Sequence, residues 1–475
     1  MKKLSTTVNC GSMVMFFLLG ISLLRAEEVN NFKIPETVKG VRIAGYFDAF
    51  NAADTESMNI FLKENLNLDA LKSFPVERRL ERYRGFQAQA IFLTPEKLLS
   101  ESDEKMRVLA RDGSDQYLEF TFNFEKGKEG KITTILVNMV EPEDLVDLSG
   151  PSINKKELIA RIQIYLENST KNDLFSGVVL LAEGDKILFH EAFGLASREY
   201  NAANQLDTRF NLGSINKLFT RIAIGQLLEQ GRLSLDDTIG KFLPNYPNQE
   251  AARKVTIRQL LDMTSGIGDF FGEKYMQTPK DKIRNLEDYL PFFAHDSLLF
   301  EPGKDRVYSN GGYIILGLIV AKTSGMDYFE YVREHIYKPA GMSQTGHLQA
   351  DSIVDNVASG YTHDGDDDEV GGNNLVLKNN IYTRPGRGSS AGGGYSTVDD
   401  LNRFALAIYD GKLLGDIGKE WFAGPQAYAG GAPGINAELD LNPVSGWTLV
   451  VLANGDPPMA NKIARKINLW VKRLK

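Results

Sequence analysis

The sequence predicts an α+β protein with two domains, and two observations support this class. In the first third of the chain, helical patterns are followed by four strand patterns separated by turns. In the remainder, strand patterns lie at both ends and helical patterns lie between them. The length of 475 residues agrees with more than one domain, because single domains commonly hold about 100–200 residues.

The predicted first domain covers residues 27–145. Apolar residues recur at helical spacing in residues 41–67, where the segment Asn-Ala-Ala-Asp at 51–54 interrupts them, and a charged helical pattern covers residues 75–88. Strand patterns separated by turn residues follow, at residues 89–94, 106–111, 117–124 and 131–139. Helices followed by a meander resemble the nuclear transport factor 2-like domains. The same pattern predicts one curved antiparallel sheet packed on helices. Because the segment has no histidine and no evident acid–base pair, an accessory or binding role is expected rather than catalysis.

The predicted second domain covers residues 146–475 and follows a linker at residues 141–151, which contains proline and glycine. It opens with a helix and a hairpin, and it closes with two strands and a helix. The helices are expected at 155–168 and 459–474, and the strands at 177–182, 186–192, 434–441 and 447–454. We therefore expect one antiparallel sheet built from both ends of the domain, flanked by helices, with a helical region inserted between them.

The first 26 residues have the pattern of a secretory signal peptide. Lys2 and Lys3 precede the apolar run 13–24, which is shorter than the about 20 residues that span a bilayer, and Ala26 ends the segment. A short buried helix or an uncleaved anchor is the alternative interpretation. The only cysteine, Cys10, lies before the apolar run, so no disulfide is expected in the mature protein. We expect export, to the periplasm or to the medium, with no stable membrane span after cleavage.

Composition limits the possible partners. With 43% hydrophobic residues the chain can form a sizeable core, and a net charge of −8 disfavours nucleic acid and anionic membranes as partners. The acidic run 364–369 is predicted to be a solvated loop, because Glu369 occupies the place where a calcium-binding loop needs glycine. A small molecule or a peptide is the expected partner, and the oligomeric state is left open.

The pattern Ser-x-x-Lys occurs three times, so the pattern alone is not informative. The copies are Ser102–Lys105, Ser152–Lys155 and Ser214–Lys217. Ser102 lies in a polar run, and Ser152 follows a proline, where it is predicted to be a helix N-cap. Ser214 alone is preceded by a glycine and followed by a long amphipathic pattern at 218–228. Residues three apart lie on one helix face, which places the Ser214 hydroxyl beside the Lys217 amine at a helix N-terminus.

A second segment, Tyr308-Ser309-Asn310, supplies a partner for that pair. A serine nucleophile needs a base, and neither lysine nor tyrosine is one at pH 7 with its usual pKa of about 10. In a dry cleft, a neutral Lys217 and Tyr308 could share the proton, each shifting the pKa of the other. The five histidines are scattered and none has metal-ligand spacing. A zinc site and a Ser-His-Asp triad are therefore disfavoured, and no cofactor is expected.

A third segment runs from Tyr428 to Gly434 and is predicted to lead into a strand. Glycines let the backbone approach a substrate closely. A backbone N–H of this segment could therefore complete an oxyanion hole with the N–H of Ser214. A plain glycine turn is the alternative.

In this order, the three segments resemble the serine β-lactamase and penicillin-binding-protein superfamily, in its class C-like branch, which also includes D,D-peptidases and esterases. The resemblance extends over about residues 175–458, and its further segments are 175–180, 260–266, 300–303, 339–342 and 391–397. It implies the β-lactamase/transpeptidase-like fold for the second domain.

The resemblance also implies roles for individual residues. Ser214 would be the acylated nucleophile, Lys217 its proton partner, and Tyr308 the base in acylation and in activation of the deacylating water. Asn310 would hold the substrate, and the N–H groups of Ser214 and Gly431, next to Gly430, would form the oxyanion hole. This chain departs from the family in two places. Tyr428 occupies the place of a lysine or histidine. In addition, only 13 residues (415–427) separate Leu414 from Tyr428, where relatives carry a further helix and strand.

These observations predict an exported serine hydrolase that acts on an ester or amide through an acyl-enzyme. Tyr428 carries no charge, so we expect weak binding of a substrate carboxylate and an esterase- or D,D-peptidase-like activity rather than efficient β-lactam hydrolysis. The alternative is a non-hydrolytic cell-wall or peptide-binding protein on a degenerate scaffold, which the short segment 415–427 favours.

Overall fold

Residues 32–113, 116–127, 130–140, 151–363 and 376–475 are described by a computed structural model. The predicted signal peptide (1–26), the acidic run 364–369 and the boundary near residue 145 lie outside the described residues, so these stay predictions. The chain divides into two compact units at Pro151, each described by itself below.

Over its described residues, the first unit has four helices followed by a four-stranded antiparallel meander in the order β1-β2-β3-β4. Its elements are α1 (Val38–Asn51), α2 (Thr55–Asn65), α3 (Leu68–Ser73), α4 (Val76–Ala90), β1 (Leu93–Glu101), β2 (Lys105–Asp112), β3 (Tyr117–Phe124) and β4 (Ile132–Val140). The interruption predicted at 51–54 is confirmed, because Asp54 caps α2 by accepting a hydrogen bond from Ser57 N. The strand predicted at 89–94 is wrong at its start: α4 continues to Ala90, and β1 begins at Leu93.

Aromatic side chains hold the first unit together. The rings of Tyr46 and Phe47 in α1 pack edge to face on those of Phe122 and Phe120 in β3, with centroids 5.5 and 5.2 Å apart. All four side chains are buried. The predicted packing of helices on one face of an antiparallel sheet is therefore present.

The second unit is built around a five-stranded antiparallel sheet in the order β13-β14-β15-β5-β6. Its strands, with six short ones outside this sheet, are β5 (Gly177–Glu183), β6 (Lys186–Phe193), β7 (Leu195–Ser197), β8 (Ala202–Ala203), β9 (Phe210–Asn211), β10 (Tyr361–Thr362), β11 (Lys378–Asn379), β12 (Tyr395–Ser396), β13 (Gln426–Ala432), β14 (Ile435–Asn442) and β15 (Trp447–Ala453). The C-terminal strand β15 pairs with β5, so both ends of the unit form one sheet, as predicted. The sequence predicted two C-terminal strands, and the structure has three.

Helices cover both faces of this sheet. Over its described residues, the helices of the second unit are α5 (Lys155–Lys171), α6 (Asn216–Glu229), α7 (Ile239–Phe242), α8 (Gln249–Lys254), α9 (Ile257–Leu261), α10 (Glu273–Gln277), α11 (Asn310–Ser324), α12 (Tyr328–Val332), α13 (Lys338–Ala340), α14 (Val398–Tyr409), α15 (Asp416–Trp421) and α16 (Met459–Val471). A π-helical turn at Arg333–Tyr337 joins α12 to α13, and 3-10 turns lie at Gly213–Ile215, Lys280–Lys282, Glu287–Phe292 and Asn380–Tyr382.

Strand alternation separates two cores. In β5, Val179 and Leu181 face α5 and α16, whereas Val178 and Leu180 face the core that contains α6 and α11. The prediction that Ser152 is the N-cap of this helix is wrong. The helix begins at Lys155, as predicted, and its N-cap is Asn154, which forms a capping box with Glu157. Within the described ranges, no helix is long and apolar enough to cross a membrane.

Candidate functional site

Ser214 lies in the 3-10 turn that leads into α6. The preceding residue, Gly213, has a φ of +50°, and a Cβ there would stand only 2.9 Å from the backbone nitrogen of Gly431. Both facts require glycine, because the left-handed conformation and the close approach exclude a side chain. The glycine before the serine therefore lets β13 lie directly beside the turn, at a helix N-terminus whose N–H groups favour negative charge.

Lys217 is one turn further along and buried, with 7% of its surface exposed. Its Nζ lies 3.1 Å from Ser214 Oγ and 2.6 Å from Asn310 Oδ1, and it also donates to the carbonyl oxygen of Ala391. Since the two other acceptors hold two N–H groups, the third tetrahedral position of Nζ faces Ser214 Oγ. A neutral amine held in this way directs its lone pair at the serine hydroxyl.

Burial lowers the pKa of Lys217 from 10.5 to about 7, and the nearby Asp269 carboxylate opposes this shift only in part. The cause is loss of hydration, which disfavours the charged ammonium. At pH 7 a large fraction of Lys217 is therefore a neutral amine, the form that can accept a proton.

Tyr308 also contacts Ser214, and its ring lies beside Lys217, with Nζ 4.8 Å from the ring centroid. Its Oη donates to Ser214 Oγ at 2.7 Å, and its side chain is 52% exposed. Burial of the hydroxyl raises the pKa of Tyr308, an effect that the hydrogen bond to Ser214 reduces. The phenol is thus protonated at neutral pH. The next residue, Ser309, caps α11: its Oγ accepts from Gly312 N and donates to Gly268 O, both at 2.9 Å, which positions Tyr308.

Asp269 is part of the site and was not found from the sequence. Its Oδ2 accepts a hydrogen bond from Asn310 Nδ2 at 2.7 Å, which turns the amide oxygen of Asn310 toward Lys217. The only signal was its place in a loop, three residues after Gly266, the last residue of a segment that the resemblance had marked. A single aspartate in a loop has no periodicity that would identify it.

A buried histidine, His347, contacts Asn216 next to the site, and the sequence analysis did not identify this contact either. Asn216 Nδ2 lies 2.7 Å from His347 Nε2, and Asn216 Oδ1 accepts from Gly394 N at 3.0 Å. Burial, together with Arg387, lowers the pKa of His347 to about 3, so its ring is neutral. His347 does not touch Ser214; it positions the loop whose Ala391 carbonyl binds Lys217.

Gly430 and Gly431 lie within the edge strand β13, not in a turn before a strand. A Cβ on Gly430 would stand 1.9 Å from Leu212 O and 3.1 Å from Ser214 N. This close packing explains the glycine and places the backbone of β13 beside that of Ser214. The sequence could not show this strand, because its glycine content reads as a turn.

Tyr428 is the predicted site residue that does not reach the serine. Its hydroxyl donates to Gln426 Oε1, two residues back on the same strand face, rather than to Ser214 or Tyr308. Burial raises the pKa of Tyr428 to about 12, against the opposing charge of Arg221. Tyr428 is therefore a neutral donor at physiological pH.

Over the described ranges, no group of three or more histidine, cysteine, aspartate or glutamate residues is placed to hold a metal ion. The arrangement instead juxtaposes a hydroxyl, a neutral amine and a phenol beside the backbone of a glycine strand. The family model of the beta-lactamases matches residues 163–472.

The chain belongs to the beta-lactamase family.

Two penicillin-binding proteins illustrate how this beta-lactamase-family chain relates to known proteins. Penicillin-binding protein 4* of Bacillus subtilis is 33% identical over 270 residues, which are 54% of this chain and 58% of that protein. The match thus spans less than two thirds of the relative's length. The crystal structure of a penicillin-binding protein from Bacillus halodurans is 31% identical, covers 63% of this chain and 98% of its own, and gives a TM-score of 0.57.

A more distant likeness shows the fold alone. The D-amino acid amidase of Ochrobactrum anthropi SV3 is 22% identical, covers 66% of this chain and 98% of its own, and has a TM-score of 0.57. The β-lactamase/transpeptidase-like α+β fold predicted for the second domain is thus confirmed. The likeness of the first domain to nuclear transport factor 2 stays a prediction.

Proposed function

We propose that the protein is a serine hydrolase that acts on an ester or amide through an acyl-enzyme. One observation carries this proposal: Ser214 Oγ lies within hydrogen-bond distance of both Lys217 Nζ, at 3.1 Å, and Tyr308 Oη, at 2.7 Å. A nucleophile held by a base and by an acid is the arrangement that acyl transfer needs. Membership of the beta-lactamase family and the likeness to penicillin-binding proteins support a hydrolase in general.

In acylation, Ser214 Oγ attacks the substrate carbonyl carbon and its proton passes to Lys217 Nζ. A pKa of about 7 suits Lys217 to this step, since a base works best near the ambient pH. The N–H groups of Ser214 and Gly431 would bind the carbonyl oxygen as it becomes an oxyanion. Tyr308, which is protonated, gives its proton to the leaving group as the bond to the carbonyl carbon breaks. The serine proton then passes from Lys217 to the resulting phenolate, so the acyl-enzyme holds a neutral amine and a protonated phenol.

In deacylation, water takes the place of the leaving group. The family resemblance makes Tyr308 the group that activates this water. Because the pKa of Tyr308 is raised, a free phenolate is unfavourable at pH 7, so we assign Lys217 as the final proton acceptor in this step too. Tyr308 then relays the proton, and Ser214 recovers it when the acyl group leaves as the free acid.

We further propose an esterase- or peptidase-like activity, export, and an accessory role for residues 27–145. The signal-like pattern at 1–26 supports export, and the helices followed by a meander support the nuclear transport factor 2-like interpretation. The rival, a binding protein without turnover, rests on the short segment 415–427. The distance of 3.1 Å between Lys217 and Ser214 favours hydrolysis over that rival.

Labelling with an acylating probe tests the proposal. A fluorescent penicillin and an activated fluorescent ester should label the full chain, and Ser214→Ala should abolish labelling. Ser152→Ala removes an exposed serine from an identical Ser-Ile-Asn-Lys tetrapeptide and should label like the unaltered protein. Equal labelling of the two variants would contradict the assignment, and labelling without release of the acyl group would favour the binding protein.

A further inference from the structure

The guanidinium group of Arg221 has no acidic partner in the part of the chain that the structure describes. Arg221 follows Lys217 by one turn of α6 and is partly buried. Its Nε is buried without a hydrogen-bond partner. A guanidinium nitrogen that is withdrawn from water and has no hydrogen-bond acceptor is unfavourable, whereas an anion bound nearby would compensate for it.

Arg221 rests instead on the shortened segment 415–427. Its Cζ lies 4.8 Å from the ring centroid of Trp421, a cation–π contact that offsets part of the lost hydration. The segment is held tightly against α6: Glu229 accepts hydrogen bonds from two of its backbone N–H groups, at 3.0 and 3.1 Å. A Cβ on Gly225 would stand 3.0 Å from the Trp421 ring. Segment 415–427 is therefore packed firmly on α6 in contact with Arg221, and the two together are called the wall below.

The same wall carries Tyr428. Gln426 links the two parts, because its side chain donates to the carbonyl oxygen of Trp421 and accepts from the Tyr428 hydroxyl. The positive charge of Arg221 also acts on Tyr428, opposing the effect of burial on its pKa. A phenol next to a cation is a stronger hydrogen-bond donor than an isolated one.

The Tyr428 side chain of this wall lies on the same side of β13 as Ser214. Tyr428 and Gly430 share one face of β13, because residues two apart in a strand point the same way. A Cβ on Gly430 would stand 3.1 Å from Ser214 N. A group bound at Tyr428 would thus lie on the Ser214 side of the strand.

We propose that Arg221 is a specificity-determining residue that, together with the Tyr428 hydroxyl, binds a carboxylate carried by the substrate. The partly buried Arg221 then supplies the positive charge that Tyr428 lacks, and a carboxylate replaces Gln426 as the acceptor of the Tyr428 proton. The substrate class is an ester or amide with an anionic group close to the scissile bond. The part concerning hydrolysis rests on the proposed function, whereas binding of the anion does not.

Binding is measured first in the Ser214→Ala protein, so that turnover plays no part. The probes are 3-acetoxybenzoate and its uncharged methyl ester, compared by titration calorimetry. We expect about tenfold tighter binding of the anion, which corresponds to about 1.4 kcal/mol. Adding Arg221→Gln should bring the two affinities to within about twofold, and Arg221→Lys should retain most of the preference. Arg232→Gln removes a charge just beyond the other end of α6 and should leave the preference unchanged.

Kinetics of the protein with Ser214 intact then separate specificity from structure. Arg221→Gln should raise the KM for the anionic ester about tenfold and that for the neutral ester by less than about twofold. Tyr428→Phe keeps the ring and removes the donor, so it should weaken the anion preference even if Arg221→Gln does not fold. The proposal would be overturned if Ser214→Ala bound the two esters equally well or did not detectably bind the anionic one. It would also be overturned if Arg221→Gln and Tyr428→Phe weakened the binding of both esters equally. Failure of Ser214 labelling would instead overturn the hydrolase assignment alone.

Discussion

Replacing Lys217 by methionine should change how the stability of the protein depends on pH. Lys217 is 7% exposed, and burial lowers its pKa from 10.5 to about 7. Between these two pH values the unfolded chain binds one proton more than the folded chain does. The free energy of unfolding of the unaltered protein therefore rises with pH across this window, and the contribution from Lys217 is least favourable below about pH 7.

The magnitude follows from the two pKa values of Lys217. At about 1.36 kcal/mol for each pH unit, the difference between 10.5 and about 7 corresponds to about 5 kcal/mol in total. From pH 7 to pH 9, the stability of Lys217→Met relative to the unaltered protein should fall by about 2 kcal/mol. The hydrogen bonds to Asn310 and Ala391 that are lost with the amine change the free energy at both pH values alike, so they do not affect this comparison.

The assay is urea unfolding at pH 7 and pH 9, followed by circular dichroism, for the unaltered protein and Lys217→Met. The two compact units can unfold in separate transitions, so the free energy compared is that of the transition of the second unit, which contains Lys217. Lys412→Met, which removes an exposed lysine, is the matched control and should show no such pH dependence. A stability difference that is equal at the two pH values would refute the reasoning, because Lys217 would then be charged in the folded protein.

Two further predictions concern the surroundings of this amine. Gly213→Ala should reduce the rate of acylation by at least about tenfold, because its Cβ would stand 2.9 Å from the nitrogen of Gly431. Gly231→Ala has a similar positive φ but open space around it, so it should cost about 1 kcal/mol of stability without loss of activity; equal activity of the two variants would contradict the argument. Asp269→Asn removes the charge that raises the pKa of Lys217, so the midpoint of the acid limb of the pH–rate profile should move below about pH 7. A midpoint that stays in place or rises, measured from initial rates, would show that Lys217 does not control that limb.

The sequence determined the architecture of the second domain and the juxtaposition of Ser214 and Lys217. Strand patterns bounded by turn residues at both ends of the domain predicted the shared sheet. Ser214 and Lys217 are three residues apart, and helical geometry places such residues on one face. Local spacing was sufficient for these inferences.

Tertiary structure alone decided what surrounds that pair. Asp269, His347 and the Ala391 carbonyl come from loops far apart in the chain, and no periodic pattern marks them. The glycine-rich stretch that reads as a turn becomes the strand β13 only because it pairs with β14. The pKa of Lys217 likewise depends on burial beneath distant segments, a property of the folded interior that the spacing of Ser-x-x-Lys does not contain. The sequence thus predicted which groups could react, and packing decided the protonation state of Lys217 and the neighbours of these groups.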